Sequence, residues 1–301
     1  MKKLRFLVSL ITKNNDYQVG QAMSAQEVAK QLGADLEIVY ADNDAITQGT
    51  QLLKAVQGAA EARPDAIVVE PAGGTALPQA ARAASAVGVG WAVLNREADY
   101  ITELRKNSRV PVFSISADHK EIGKIQGQQF CVLLPKGGTV LYIQGPSENS
   151  AAKDRALGMQ TTLRPDIQVT TLRGQWTEES AYKCVTSWLK LNVSHKVNVN
   201  LIGAQNDAMA MGARKAFQDV DSETEKQLWL RLPFTGVDGL PQTGQSWVRS
   251  GSLTATVIVP PNAGQALSVL ANAIRNNSTV PERSFTVPNS YPALDRLVSR
   301  S

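Results

Sequence analysis

The sequence predicts two α/β domains, each built on a doubly wound parallel sheet, and three observations predict it. Short β-branched runs alternate with longer stretches of helical apolar period along the whole chain, which is the pattern of stacked βαβ units. The strand candidates outnumber what one ordinary open sheet holds, roughly ten at most, so two domains are the economical reading. Polar residues gather at the C-terminal ends of the strand candidates in both halves, where open α/β sheets present their ligand sites.

In the first part, strands are predicted at Leu4 to Leu10, Asp35 to Tyr40, Ala66 to Glu70, Trp91 to Asn95 and Val112 to Ser116. Helices are predicted at Gln18 to Leu32, Ala45 to Ala62 and Thr75 to Val87. Gly33 and Gly88 fall just past two of these helices, where a left-handed residue closes the last turn and glycine takes that conformation without steric cost. The second part repeats the rhythm, with strands at Thr139 to Gln144, Gln168 to Leu172, Val199 to Ala204, Phe234 to Val237 and Thr254 to Val259. Its helices are predicted at Glu121 to Leu134, Ala152 to Leu163, Glu178 to Leu191, Ala208 to Val220 and Gln242 to Arg249. A last helix, Gly264 to Ile274, precedes a short strand at Ser284 to Val287.

Composition narrows the chemistry. In 301 residues, 43% hydrophobic content supports packed cores and excludes a disordered or collagen-like chain. The net charge of +4 is spread without a basic run, so nucleic acid is not an expected partner. No apolar stretch reaches the ~18 residues of a membrane span. Lys2, Lys3 and Arg5 ahead of Phe6-Leu7-Val8 imitate a secretory signal. The apolar run ends at Ile11, however, and Lys13-Asn14-Asn15-Asp16 stands where a small-residue cleavage site would be, so the segment is read as the first strand. A periplasmic or extracellular protein is expected if a signal peptide has been removed ahead of Met1, and a cytoplasmic one otherwise. Cys131 and Cys184 lie in apolar-periodic segments and are expected as buried free thiols.

The only histidines, His119 and His195, disfavour zinc hydrolysis and serine-histidine catalysis. Asp118-His119 is read as a solvated histidine at a helix start, since no nucleophile lies nearby in a suitable pattern. The first strand is followed by Thr12-Lys13-Asn14-Asn15-Asp16-Tyr17 instead of a dinucleotide-binding G-x-G-x-x-G. Neither a phosphate loop nor a G-x-S-x-G elbow occurs. Gly73-Gly74 and Gly137-Gly138 are read as turns. No metal and no cofactor are expected, and no catalytic residue is assigned.

The strand-end clusters point to binding. They are Lys13-Asn14-Asn15-Asp16, Pro71-Ala72-Gly73-Gly74-Thr75, Asn95-Arg96-Glu97, Gln144-Gly145-Pro146-Ser147-Glu148-Asn149, Gln205-Asn206-Asp207 and Asp238-Gly239. Planar amides, carboxylates and guanidinium groups match a ligand covered in hydroxyls, each of which both donates and accepts. Tyr17 and Trp176 suit the apolar faces of a sugar ring. Taken singly, Asp238-Gly239 also reads as a turn, Asn206-Asp207 as a helix cap and Trp176 as an ordinary packed aromatic.

These clusters, with Ser150-Ala151-Ala152-Lys153-Asp154-Arg155-Ala156-Leu157-Gly158-Met159, Ala204-Gln205-Asn206-Asp207-Ala208-Met209-Ala210-Met211-Gly212-Ala213 and Gly236-Val237-Asp238-Gly239, carry a resemblance. From Leu4 to about Leu297 the chain resembles the periplasmic sugar-binding proteins of bacterial ABC importers, above all the ribose-binding branch. The effector cores of lactose-type repressors share that architecture. The resemblance implies the type I periplasmic binding fold, two lobes joined by a three-segment hinge, with crossings near Ala117-Asp118, Val259-Pro260 and Val287-Pro288. The lobes would be 1–117 plus 260–287 and 118–259 plus 288–301.

It also implies the site residues. Asn15 and Tyr17 match an asparagine and a stacking aromatic, Asn95 and Arg96 an aspartate-arginine pair with the aspartate replaced, and Arg155 an arginine from the second lobe. Trp176 matches the opposite stacking aromatic, and Asn206 and Asp238 further hydroxyl ligands. Gln18 stands where the ribose branch has a second aromatic, and Val259 where it has a ligand-binding glutamine, so the sugar itself stays open. The implied function is capture of a small carbohydrate or polyol by hinge closure and delivery to an ABC permease, by a monomer that is not an enzyme. The alternative is a ligand-binding sensor or effector domain of a signalling or transcription-regulatory system.

Overall fold

The structure, a computed structural model, describes residues 3–73, 77–96, 98–191 and 197–298. His195, together with Gly74, Thr75 and Glu97 of the strand-end clusters, lies outside them. The chain divides into two compact units, Met1–Ala117 with Pro261–Thr286 and Asp118–Pro260 with Val287–Ser301.

The first unit holds one parallel sheet of β1 (Arg5–Leu10), β2 (Asp35–Tyr40), β3 (Ala66–Val69), β4 (Gly90–Leu94), β5 (Val112–Ala117) and β11 (Arg283–Thr286), in the order β11-β5-β4-β3-β1-β2. The strand period of two divides its side chains between two faces. Phe6, Val8, Val68, Ala92 and Leu94 pack under α1 (Asp16–Leu32) and α11 (Ala263–Asn276). Leu7, Ile67, Val69, Trp91 and Val93 pack against α2 (Ala45–Gln57), α3 (Pro78–Ala86) and α4 (Tyr100–Asn107). Gly33 closes α1 at φ +63 and Gly88 follows α3 at φ +82, the left-handed conformations expected of them.

The second unit holds a parallel sheet of β6 (Gly138–Gln144), β7 (Ile167–Arg173), β8 (Val199–Ala204) and β9 (Phe234–Thr235), in the order β7-β6-β8-β9. One face packs on α7 (Glu178–Leu189) and α8 (Asp207–Gln218), the other on α5 (His119–Leu133) and α6 (Ser150–Thr162). Beside this sheet β10 (Thr256–Ile258) pairs antiparallel with β12 (Asn289–Tyr291), so the wholly parallel arrangement expected of this half is corrected there.

Several elements differ from the sequence reading for physical reasons. The helix expected over Ala45 to Ala62 stops at Gln57, because Gly58 turns extended at ψ 173, and a 3-10 turn, Ala60–Ala62, follows. The helix expected from Thr75 is described from Pro78, which sits in its first turn, where proline's missing N–H costs nothing. Two helices carry too little apolar period to announce themselves: α4 buries only Ile101, and α9 (Glu223–Arg231) buries no residue fully. The Ser222-Glu223-Thr224-Glu225 capping pattern is the signal that marks α9, and the Ser222 hydroxyl does accept the Glu225 N–H at 3.3 Å. A short α10 (Gly244–Arg249) completes the unit. Cys131 and Cys184 are free but only half-buried, because each lies on the flank of its helix against the margin of a core cluster.

Helices α5 and α6 cross backbone to backbone. A Cβ on Gly123 would strike the Arg155 carbonyl, one on Gly158 the Lys120 carbonyl, and one on Gly127 the Thr162 hydroxyl. This crossing sets the position of Arg155. Gly158→Ala is expected to lower the unfolding free energy by about 1–3 kcal/mol in urea titrations, since the added methyl finds no space. Gly49→Ala, in the interior of α2, would meet only Leu77 Cδ2 at 3.9 Å and is expected to hold or raise stability, by up to ~1 kcal/mol.

Candidate functional site

In both sheets the first strand of the unit lies inside, with its second strand on one side and its third on the other, so β1/β3 and β6/β8 are topological switch points. The polar clusters follow the C-terminal ends of these strands.

In the first unit, Asn15 caps α1, its Oδ1 accepting the Gln18 N–H at 3.2 Å, and this cap orients Tyr17 in the first turn. The Tyr17 hydroxyl accepts from Asn95 Nδ2 at 3.3 Å. Asn95 follows β4 at φ +53, a left-handed conformation asparagine tolerates better than most residues. Its Oδ1 accepts from Asn262 Nδ2 at 2.8 Å and from the Ala117 N–H at 3.2 Å. Arg96 turns back to donate to the Asn95 carbonyl at 2.7 Å and lies 3.9 Å from the Glu70 carboxylate. The structure therefore brings Tyr17, Asn95 and Arg96 together, with Asn15 holding the helix that carries Tyr17.

Glu70, Gln21 and Asn262 were missed by the sequence reading. Glu70 directly follows β3 and is only 3% exposed; Gln21 Nε2 donates to its carboxylate at 3.3 Å and to Asn262 Oδ1 at 2.8 Å. Gln21 Oε1 accepts the N–H groups of both Asn262 and Ala263 at 2.8 Å. Burial pushes the Glu70 carboxyl above the ordinary glutamate range, while Arg96 and the amides of Gln18, Asn95 and Gln21 pull the other way. Gln18, at the position of the expected second aromatic, is buried and accepts the Ile11 N–H at 2.9 Å through Oε1.

In the second unit, Arg155 on α6 is buried, donates to the Gln205 carbonyl, and lies with its guanidinium carbon 5.5 Å from the Trp176 ring centre. Trp176 has φ +64 and lies against Gly145, where a Cβ would collide with its ring. Asn206 caps α8 through Oδ1, which accepts the Met209 N–H at 2.8 Å, and its Nδ2 donates to the Trp176 carbonyl at 3.0 Å. The cap reading of Asn206 holds, and the cap fixes the loop that carries the tryptophan. Asp238 is buried at φ +108. Its loop is held by Asp207, whose carboxylate accepts the Gly239 N–H at 2.8 Å and the Thr256 hydroxyl at 2.7 Å. Gly236 and Gly244 leave room for that carboxylate, since a Cβ on either would strike it. Val259 is buried and donates its backbone N–H to the Asp238 carbonyl at 3.0 Å.

The expectation of a solvated His119 is corrected. Asp118 caps α5, and His119 is buried, with Nδ1 accepting from Arg155 Nε at 3.4 Å, because the tight α5–α6 crossing brings the two helix faces together. Gln205, read from the sequence as part of a strand-end cluster but given no role of its own, is buried and ties Gly145 to Ala152, accepting at 2.9 Å from the first and donating at 2.9 Å to the second. Among the described residues no group of His, Cys, Asp and Glu is placed to hold a metal ion, and no helix is long and apolar enough to cross a membrane.

The family model described as "periplasmic binding protein domain" matches residues 6–278. The chain belongs to that family. This periplasmic binding protein is 26% identical over 262 residues to the ribose import binding protein of Escherichia coli, a match covering 87% of this chain and 81% of that one. Among solved structures it resembles an ABC transporter periplasmic solute binding protein from Actinobacillus succinogenes with bound D-allose, at TM-score 0.81 and 22% identity, covering 96% of this chain and 97% of that one. It also resembles the Caulobacter myo-inositol binding protein, at TM-score 0.78 and 21% identity, covering 95% and 92%. The structural likenesses establish the type I periplasmic binding fold.

Because burial pushes the Glu70 carboxyl up, its protonation is coupled to folding. The folded protein holds this proton more tightly than the unfolded chain does. The carboxyl's contribution is therefore fully present below 4.5, the ordinary glutamate value, and is lost as pH rises through the higher folded value. Urea unfolding over this span is expected to show the wild-type protein losing stability relative to Glu70→Gln as pH rises from 4.5; a gap that stays constant with pH would contradict the burial argument.

Proposed function

We propose that this protein is the solute-binding component of an ABC importer, working as a monomer in the periplasm or outside the cell, and that it captures a small neutral carbohydrate or polyol and releases it chemically unchanged. The observation that carries the reading is a buried guanidinium among the strand-end polar groups of each unit: Arg96, after β4 and 3.9 Å from the Glu70 carboxylate, and Arg155, on α6 against the Gln205 carbonyl. Such groups pair with ring hydroxyls and need no titrating catalyst. The import function of the ribose-binding relative and the sugars held by the structural neighbours support the same ligand class.

In this reading Tyr17, Asn95 and Arg96, with Asn15 behind them, supply contacts from the first unit, and Arg155, Trp176, Asn206 and Asp238 supply contacts from the second. Contacts from both units to one ligand would favour a closed form over an open one by the ligand's differential affinity for the two. Asparagine at 95 and valine at 259 alter the hydroxyl pattern relative to the ribose branch, so ribose is one candidate among several. A site that leaves buried polar groups unpaired with the wrong hydroxyl discriminates strongly. No cofactor and no nucleic acid enter this scheme.

A thermal-shift screen of sugars and polyols tests the proposal. A ligand at about a hundredfold its dissociation constant is expected to add about 2.7 kcal/mol of stability and to be recovered intact. Stabilisation by no member of the panel, or conversion of one to a product, would overturn it. For the ligand so found, Arg96→Ala and Arg155→Ala are each expected to weaken calorimetric binding by about 2–4 kcal/mol, because each removes several hydrogen bonds from a desolvated site. Unchanged affinity in both variants would refute the residue assignment.

A further inference from the structure

Glu70 stands outside the residues the family resemblance assigns to the ligand, yet it is the most deeply set charge in the first unit's shell. It is 3% exposed, and its partner Arg96 is 8% exposed, with 3.9 Å between Oε1 and the guanidinium. Its place is fixed along its length. The backbone N–H donates to the Ser9 carbonyl at 2.9 Å, and the backbone carbonyl accepts from Gln48 Nε2 at 2.9 Å. Gln48 in turn donates to the Ser9 hydroxyl at 3.0 Å and accepts the Ala72 N–H at 2.8 Å. At the carboxylate end, Gln21 Nε2 donates at 3.3 Å, and the Gln18 and Asn95 amides also favour its charged form.

We infer that Glu70 sets the charge class of the ligand, by compensating Arg96 from within the protein so that the site accepts neutral polyhydroxylated molecules and rejects sugar acids. The inference rests on the carbohydrate-binding reading above and adds a selectivity to it. A guanidinium already balanced by a rigid internal carboxylate still donates to neutral hydroxyl oxygens. A ligand carboxylate seated on the same guanidinium would stand near Glu70, bringing two anions together where little water screens them.

The second unit adds no surplus of positive charge. Arg155 meets the Gln205 carbonyl, Nδ1 of His119 and the Trp176 ring, while the same shell contains the carboxylates of Asp207 and Asp238. Within the first unit Arg96 is thus balanced by Glu70, and in the second Arg155 stands in one shell with Asp207 and Asp238. Discrimination of this kind works by penalising the wrong ligand and needs no extra contact to the right one.

The test compares D-ribose, D-glucose, D-galactose and myo-inositol with D-ribonate, D-glucuronate and D-galacturonate, by calorimetry at mildly alkaline pH, where the Glu70 carboxyl is most fully ionised. For the wild-type protein a neutral member is expected to bind, and its acid counterpart, where the panel has one, to bind at least about a hundredfold more weakly. In Glu70→Gln, which keeps the shape and removes the charge, that ratio is expected to fall to about tenfold or less. Glu70→Asp, which keeps the charge, is expected to retain most of it.

Two results overturn the inference: a wild-type protein that binds an acid as tightly as its neutral counterpart, or a folded Glu70→Gln variant whose ratio is unchanged. Where Glu70→Gln fails to give a cooperative thermal transition, the wild-type ratio and the Glu70→Asp ratio decide. Loss of discrimination in Glu70→Asp with the fold intact would also count against a charge effect. If the wild-type protein binds no member of either set, the carbohydrate-binding reading itself fails, an outcome distinct from failure of the selectivity.

Discussion

A polar side chain withdrawn from water at the end of a buried strand has to find its hydrogen-bond partners inside the protein, at a cost of a few kcal/mol for each group left unpaired. Both units meet that constraint with amides. In the first, Gln21 serves Asn262 and Glu70 together, and Asn262 passes the connection to Asn95, which reaches Tyr17. In the second, Gln205 joins Gly145 to Ala152 and gives its own carbonyl to Arg155. The side chains assigned to the ligand are the outward ends of these chains of amides, so their positions are set before any ligand arrives. Preorganisation of this kind reduces the ordering cost of binding.

The strand-end loops depend on backbone conformations that most residues avoid. Asn95, Trp176 and Asp238 all have positive φ, and each is held by bonds from elsewhere in its unit: Asn262 to Asn95, Asn206 to the Trp176 carbonyl, and Asp207 to the glycine after Asp238. Strain of this sort persists only where surrounding contacts over-determine it. The two sequence segments 204–213 and 236–239, which look like separate short motifs, are one structural device joined by the Asp207 carboxylate.

Much of the fold was legible because the strand and helix periods are strong where both faces are buried. The bounds read for the largely buried β8 are those observed, Val199–Ala204, and so are those of β2, Asp35–Tyr40, an edge strand whose first residues alternate between exposed and half-buried. Elements that bury little escaped: α4, α9 and the three-residue β12 carry almost no periodic signal. The same logic divides the site. Tyr17, Asn95 and Arg96 could be read from their loops. Glu70 reads as the last residue of the strand Ala66 to Glu70, with no local sign that its carboxylate is buried, while Gln21 and Asn262 are polar residues of helix starts whose burial only the packing of α1 against α11 makes visible. His119 reads as solvated because nothing local shows that two glycines bring α6 down onto it.

If, as proposed, one carbohydrate engages the strand-end shells of both units, its footprint falls on both at once. Amide hydrogen exchange with and without a saturating sugar measures this most directly. Slowed exchange is expected in residues 11–21 and 95–98 of the first unit together with 145–155, 174–177, 204–209 and 236–239 of the second, all titrating with one affinity. Slowing confined to one unit, or falling on surfaces away from these strand ends, would contradict it.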